Sequence, residues 1–216
     1  MTSAPSEIYE GQFGTFAITD SDRREVLVYR GGLAIAALCF ALGSGLAFAF
    51  GKSTPALWGA TGLYGLFWLA LGVSLFNIHI YMRPLHVALQ IFWAIGGAAS
   101  LATVVANPQP LVLTVYQYPL TILGIGFTFA ALTGIFFKEA FCFNRFETKF
   151  LTLLVPLLLL GHLTGILPMT VEQGMLAIWA GLFIIFALRK ALQAVPPDIG
   201  DKSVFEYLAQ QRAAQS

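Results

Sequence analysis

The chain has 216 residues, of which 57% are hydrophobic and 11% charged, and its formal net charge at pH 7 is +1. An average soluble domain is about 25% charged, so this composition is typical of a protein that faces lipid. The small net charge argues against a nucleic-acid partner, and six spans of about 20 residues leave no room for a separate soluble domain.

The N-terminal segment, residues 1–30, is predicted to be a tail that contains an interfacial helix. Residues 1–18 show no strong period and are expected to be irregular. Thr19 and Asp22 fit a capping box, which predicts that a helix begins there and runs along the interface. The acidic residues of this segment argue against a cleavable signal peptide, so the first span is expected to act as its own insertion signal.

Six apolar stretches follow, and each is long enough to cross the hydrocarbon core as a helix. We predict an all-α polytopic membrane protein, a six-helix bundle with spans at about 31–50, 56–76, 85–105, 119–137, 150–167 and 171–188. The apolar segment Leu111–Tyr116 is too short to cross and is expected to lie at the outer interface. Residues 189–216 form a predicted tail with a short amphipathic helix, because apolar residues recur there at helical spacing.

Lys and Arg residues fall on alternate segments between these stretches. The first, third, fifth and seventh flanking segments hold eleven of them, and the second, fourth and sixth hold one, Lys52. Cytoplasmic loops near membrane spans are enriched in Lys and Arg. We therefore predict that both termini are cytoplasmic, in an inner membrane or, on the stromal side, in a thylakoid membrane.

Pairs of small residues four positions apart occur in several spans, as at Gly96 with Ser100 and Ala177 with Gly181. In lipid such pairs allow two helices to approach closely. We expect them to pack the bundle within one chain, and a homodimer is the alternative.

Few polar residues lie inside the spans, where they are costly and often functional. Glu172 falls in the first turn of the sixth span and is expected to favour the helix N-terminus. His162 in the fifth span and Gln90 in the third lie deeper, and with nearby Thr164 they form a candidate intramembrane site. We expect a neutral, hydrogen-bonded His162. The alternatives are an axial ligand to a tetrapyrrole metal and a contact for a lipid head group. A proton relay is a third alternative, which the lack of an evident acidic partner at that depth disfavours.

Candidate metal ligands gather on the predicted cytoplasmic face. His, Cys and carboxylate groups can together hold zinc or iron, and five occur there: His79, His86, Glu139, Cys142 and Glu147. Their spacing matches no tight metal motif. We expect instead that the charges of the loop 138–149 pair with one another across that loop, among Lys138, Glu139, Arg145 and Glu147.

The same loop has a distinctive sequence: Phe137-Lys138-Glu139-Ala140-Phe141-Cys142-Phe143, then Arg145, Glu147 and a Leu-rich span with Pro156. It resembles the integral membrane proteins of cyanobacteria and plastids that are grouped as domain of unknown function 2301. The resemblance covers most of the chain, from the first span through the sixth. It implies a small membrane protein of photosynthetic lineage, and it brings no activity, cofactor or catalytic residue.

The sequence has no phosphate-binding Gly-rich loop, no His-Glu-x-x-His, no Gly-x-Ser-x-Gly and no Cys-x-x-Cys. The leading hypothesis is therefore a non-catalytic accessory or assembly factor that contacts other membrane proteins, lipids or pigments. A carrier for a small neutral solute and a membrane-embedded metalloenzyme with a site on the cytoplasmic face are the alternatives. No cofactor is required by the sequence.

Overall fold

A computed structural model describes residues 7–51 and 53–214, so Lys52 lies outside the described residues. In chain order the elements are β1 (Ile8–Gly11), β2 (Gly14–Ala17), α1 (Asp20–Phe50), α2 (Thr54–Asn77), α3 (Arg83–Ala106), α4 (Leu111–Gln117), α5 (Ile122–Phe143), α6 (Phe146–Thr164), α7 (Met169–Ala191), α8 (Pro196–Ile199) and α9 (Ser203–Ala214). A short 3₁₀ turn, Pro119–Thr121, leads into α5. Among the described residues, six helices are long and apolar enough to span a membrane: α1, α2, α3, α5 with its 3₁₀ turn, α6 and α7. The predicted all-α, six-span architecture is confirmed.

Two ends of the bundle can be distinguished by the elements they hold. The basic end holds the start of α1, the loop between α2 and α3, the turn between α5 and α6, and the end of α7. The opposite end holds the turn between α1 and α2, the short helix α4, and the turn between α6 and α7. Polar interactions dominate the basic end, whereas the opposite end contains a cavity.

The first helix begins at the predicted capping box. The Thr19 side chain accepts a hydrogen bond from the Asp22 amide at 3.3 Å, and Asp22 Oδ2 accepts one from the Thr19 amide at 2.8 Å. The helix then continues without a break through Phe50, so the predicted interfacial helix and first span are one element. At 1.5 Å per residue it is about 46 Å long, which exceeds the hydrocarbon core by several turns.

The chain before α1 is not irregular, because residues 8–17 form an antiparallel hairpin. Gly14 makes the turn possible with a φ of +141°, a conformation that favours glycine. The hairpin packs on the C-terminal segment, where the Gln12 amide donates to Asp201 Oδ2 at 2.6 Å and the Phe13 ring stacks on Tyr207. Hydrogen bonds from Ser203 and from the Gln12 amide lower the pKa of Asp201. The N-terminal hairpin and the C-terminal segment thus form one cap over the basic end.

Close helix contacts occur at some of the predicted small residues and not at others. A Cβ on Gly96 would collide with the backbone of Thr128, so α3 and α5 approach closely there. A Cβ on Gly181 would have nothing within 4 Å. The Gly96 pair therefore packs the bundle, as expected for a single chain, whereas Gly181 plays no part in packing between helices of this chain.

A reciprocal tryptophan pair joins α2 to α3. The rings of Trp68 and Trp93 stack with centroids 4.3 Å apart and planes 5° from parallel. Trp68 Nε1 donates to the Trp93 carbonyl at 3.0 Å, and Trp93 Nε1 donates to the Trp68 carbonyl at 2.8 Å. Gly72 and Gly97 leave room for the two rings, since a Cβ at either would collide with the facing indole. Both indole donors are satisfied in lipid, where an unpaired donor is costly.

We expect Gly97→Ala to lower the free energy of unfolding by about 1–3 kcal/mol, because the added methyl overpacks the rigid Trp68 ring. The control is Gly62→Ala on α2, where a Cβ meets nothing within 4 Å. That change should leave stability unchanged or raise it by up to about 1 kcal/mol, since alanine favours a helix. Thermal unfolding in one detergent compares the two, and equal melting temperatures would contradict the assigned role of the tryptophan pair.

Candidate functional site

The predicted loop 138–149 is almost entirely helical. The helix α5 continues to Phe143, and α6 already begins at Phe146. The turn between them consists of Asn144, whose φ of +53° ends α5 in the left-handed region, and Arg145 in an extended conformation. Because α5 continues to Phe143, Lys138 and Glu139 lie in its last turns, and both are buried.

Glu139 is the centre of a buried ion network at the basic end. Its Oε2 accepts a hydrogen bond from Lys190 Nζ at 2.6 Å, and its Oε1 accepts from Lys138 Nζ at 3.0 Å and from the Tyr29 hydroxyl at 3.2 Å. The Glu139 and Lys190 side chains are 0% and 1% exposed. Lys190 also pairs with Asp198, which follows α7 in the short helix α8. The network therefore connects α1, α5, α7 and α8.

Arg30 closes the network from the first helix. Its Nε and Nη2 donate to Asp198 Oδ2 at 2.8 and 2.6 Å, and its remaining donors reach the carbonyl oxygens of Gln193 and Ala194 at 2.5 and 2.8 Å. A buried guanidinium needs its donors paired, and here Nε, Nη1 and Nη2 all have acceptors. Arg30 thereby anchors the chain that leaves α7 to the start of the bundle.

The expected pairing of charges across the loop is not found: Lys138 and Glu139 do pair, but they are neighbours in α5. Glu147 pairs with Arg189 at 2.8 Å, and Arg145 donates to the Gln193 side chain. The partners come from the end of α7 because the turn after α5 is too short to fold back on itself. Several residues that count toward the charge asymmetry of the sequence are thus internal partners rather than solvated loop charges.

The five candidate metal ligands of this end do not converge. Glu139 and Glu147 are held in ion pairs, Cys142 is exposed, and His86 Nε2 lies 2.6 Å from the Leu75 carbonyl oxygen. His79 lies beside Glu25 instead, with Nε2 3.4 Å from a carboxylate oxygen. Burial lowers the pKa of His79, and the Glu25 and Asp22 charges oppose that shift.

His79, Asp22 and Glu25 place three possible ligand atoms within 4.8 Å of one another. Asp22 already caps α1 and accepts a hydrogen bond from Lys202 at 2.8 Å. A cation there would have to displace Lys202. The closeness of these three residues is therefore explained by the N-terminal cap of α1 and the polar contacts around it.

A cavity of about 460 Å³ occupies the opposite end of the bundle. Its lining comes from α1, α2, α4, α5, α6 and α7 and is mainly apolar. Exposed residues of the lining lie at or near the helix ends, and this is where the cavity meets the surface: Phe48, Gly51, Tyr116, Met169 and Gln173. The segment Leu111–Tyr116, expected at the outer interface, lies within the helix α4, several of whose residues line this cavity.

His162 lines the cavity and has an acidic partner, contrary to expectation. Its Nδ1 lies 2.8 Å from Glu172 Oε1. Gly165, at a φ of +66°, ends α6 and Pro168 precedes α7, so the two helices fold back and bring residues on either side of the turn together. Glu172 is therefore a partner for His162 and not only a helix-terminal charge.

Both ring nitrogens of His162 face oxygen atoms. Its Nε2 lies 3.4 Å from the Val115 carbonyl oxygen, and its ring stacks on Tyr116 with centroids 5.5 Å apart. A tetrapyrrole metal would require one nitrogen to leave its neighbour. A polar head group could contact His162 and Glu172 while both ring nitrogens keep their present neighbours.

Gln90 and Thr164 do not join His162. Gln90 Nε2 lies 3.2 Å from His86 Nε2 on its own helix, towards the basic end. The Thr164 hydroxyl donates to the Leu160 carbonyl at 2.8 Å on its own helix. Neither residue lines the cavity, so the predicted intramembrane site retains His162 alone.

The inner end of the cavity is a floor of aromatic rings, which we call the aromatic floor: Phe40, Tyr64, Phe67, Phe129 and Trp179. Neighbouring rings have centroids 4.4–6.5 Å apart. Trp179 is ten residues into α7, so it lies about 15 Å from the start of that helix, near half the thickness of a hydrocarbon core. The rings come from four helices, which is why no local pattern in the sequence indicated them.

A sequence profile of the family described as "Uncharacterized integral membrane protein (DUF2301)" matches residues 73–207. The match begins in the last turns of α2 and includes α3 to α8. It contains every lining residue that comes from α4 to α7, and the ion network apart from Tyr29 and Arg30. No curated protein and no solved structure shows a match to the chain.

We expect Arg30→Ala to lower the free energy of unfolding by about 3–5 kcal/mol, because Asp198 would keep a buried charge with one partner removed. The matched control is Arg23→Ala, seven residues earlier on the same helix. Arg23 pairs with Glu7 at a surface where both side chains are exposed, so its loss should cost less than about 1 kcal/mol. Denaturation in mild detergent separates the two outcomes. A small loss for Arg30→Ala would show that the network contributes little stability.

Proposed function

The chain belongs to the DUF2301 family of integral membrane proteins, and we propose that it is a non-catalytic accessory protein that holds a lipid-like molecule in the cavity at its opposite end. The cavity is the observation that carries this proposal. A volume of about 460 Å³ is within the range of small-molecule pockets, roughly 300–1,000 Å³. A mainly apolar lining suits a molecule that already resides in the membrane.

The distribution of polar groups in the lining supports a molecule with two chemically different ends. His162 and Glu172 lie near the mouth, and the aromatic floor lies near the middle of the bundle. A polar head at the mouth and an apolar tail on the floor would match the orientation of a lipid in one leaflet. A small neutral solute fits less well, because few lining groups could replace its hydrogen bonds to water.

We place this protein in an inner or thylakoid membrane with both termini on the cytoplasmic or stromal side. The eleven-to-one distribution of basic residues supports the orientation. The resemblance of the segment 137–156 to cyanobacterial and plastid proteins supports a photosynthetic membrane. In that orientation the cavity opens towards the outer or lumenal leaflet, and the cap over the basic end faces the cytoplasm or stroma.

We expect Ala47→Phe to reduce the amount of lipid-like molecule that co-purifies with the protein by at least about tenfold. Ala47 lines the cavity on α1, and a phenyl ring there would fill much of the space that a tail needs. Quantitative mass spectrometry of extracts from protein purified in mild detergent measures the ratio of bound molecule to protein.

The control for this change is Ala49→Phe, two residues further along α1. Ala49 is exposed and does not line the cavity, so the same added ring should leave the co-purifying molecule unchanged. A wild-type protein that carries no stoichiometric apolar molecule, or equal retention by the two variants, would contradict the proposed function.

A further inference from the structure

We infer that the cavity selects a molecule whose head group donates hydrogen bonds and bears no negative charge, such as an alcohol or a protonated amine at the end of an apolar chain. This inference rests on the proposed function and specifies the chemical class of the bound molecule. It follows from the charges and the free acceptors around the mouth.

The described lining carries one acidic side chain, that of Glu172, and no Lys or Arg. A carboxylate at Glu172 would repel an anionic head group, because like charges in a low-dielectric site are strongly disfavoured, and no described Lys or Arg of the lining would offset that repulsion.

A free carboxylate oxygen near the mouth favours a head group that donates. Glu172 Oε1 is used by His162, while Oε2 has no hydrogen-bond partner in the described part of the chain. The Ser44 hydroxyl and the Gln173 amide also line the cavity, but each can donate as well as accept, so the selectivity comes from Glu172. An alcohol or an ammonium group can donate to the carboxylate, and a sulfonate or phosphate diester cannot.

The spacing along α7 sets the length of the apolar part. Trp179 follows Glu172 by seven residues, so the aromatic floor lies about 10 Å along the helix from the head-group position. A molecule with its head at Glu172 would place the far end of a medium-length chain against Trp179. Because indole fluorescence is quenched by contact with bromine, this geometry gives an optical measure of binding.

The test uses three eight-carbon probes with a terminal bromine: 8-bromooctanol, 8-bromooctylamine and 8-bromooctane sulfonate. Each is titrated into the purified full chain at pH 7, where the amine is protonated and the sulfonate ionised. The alcohol and the amine should quench Trp179 with half-saturation at least about tenfold below that of the sulfonate. The Trp179→Phe variant should lose the saturable part of the quenching, which assigns the signal to the aromatic floor and not to the other three tryptophans.

Two further variants assign the selectivity to residues. Glu172→Gln keeps the shape and removes the charge, so it should weaken the amine at least about tenfold and change the alcohol less than about threefold. Lys52 is the one basic residue between the first two spans and lies outside the described residues, so Lys52→Gln tests its effect on the sulfonate. The comparison of probes on the wild-type chain stands even if a variant does not fold.

The outcomes separate the head-group inference from the proposed function. Quenching by all three probes with equal affinity would overturn the inference and leave a cavity that binds apolar molecules. Preferred binding of the sulfonate, or sulfonate binding that Lys52→Gln abolishes, would also overturn it. If none of the probes quenches and no molecule co-purifies with the wild-type chain, the proposed function itself fails.

Discussion

The cost of burying charge inside a membrane protein governs the basic end of this structure. Glu139, Lys190, Asp198 and Arg30 are all buried, and removing any one would leave another charge without its full set of partners. These contacts have one arrangement that satisfies them together, so they fix where α1, α5 and α7 sit relative to one another. The apolar faces of the helices could slide or rotate at much lower cost, because lipid and neighbouring helices are similarly apolar.

Because the buried ion pairs lie at the basic end, the opposite end can hold a mainly apolar cavity. At the opposite end the described lining contains the pair His162 and Glu172, and residues of six helices surround a cavity. A bundle held at one end can tolerate open space at the other. The bundle is thus closed by ion pairs at the basic end and open at the cavity, and the tryptophan pair joins α2 to α3 along its side.

The sequence predicts the helices well because each span is a continuous apolar run, a signal carried by neighbouring residues. It cannot predict the ion network in the same way, since Arg30 and Asp198 are 168 residues apart and Lys190 and Glu139 are 51 apart. The positions of the basic residues in the network also fit the enrichment of Lys and Arg in cytoplasmic loops. The sequence therefore does not indicate that these residues form internal ion pairs. The pair of His162 and Glu172 could have been found, because the two residues lie three and four residues from the ends of the turn at 165–168, one on each side of it.

The separation of the network partners along the chain also has a consequence for biosynthesis. Arg30 enters the membrane with the first helix, and its acceptor Asp198 follows the sixth. Until then the long arginine side chain reaches the interface, where lipid head groups and water solvate it. The six helices can therefore lock together only after the ribosome has passed Asp198. A chain interrupted earlier keeps the Arg30 cation without its Asp198 partner.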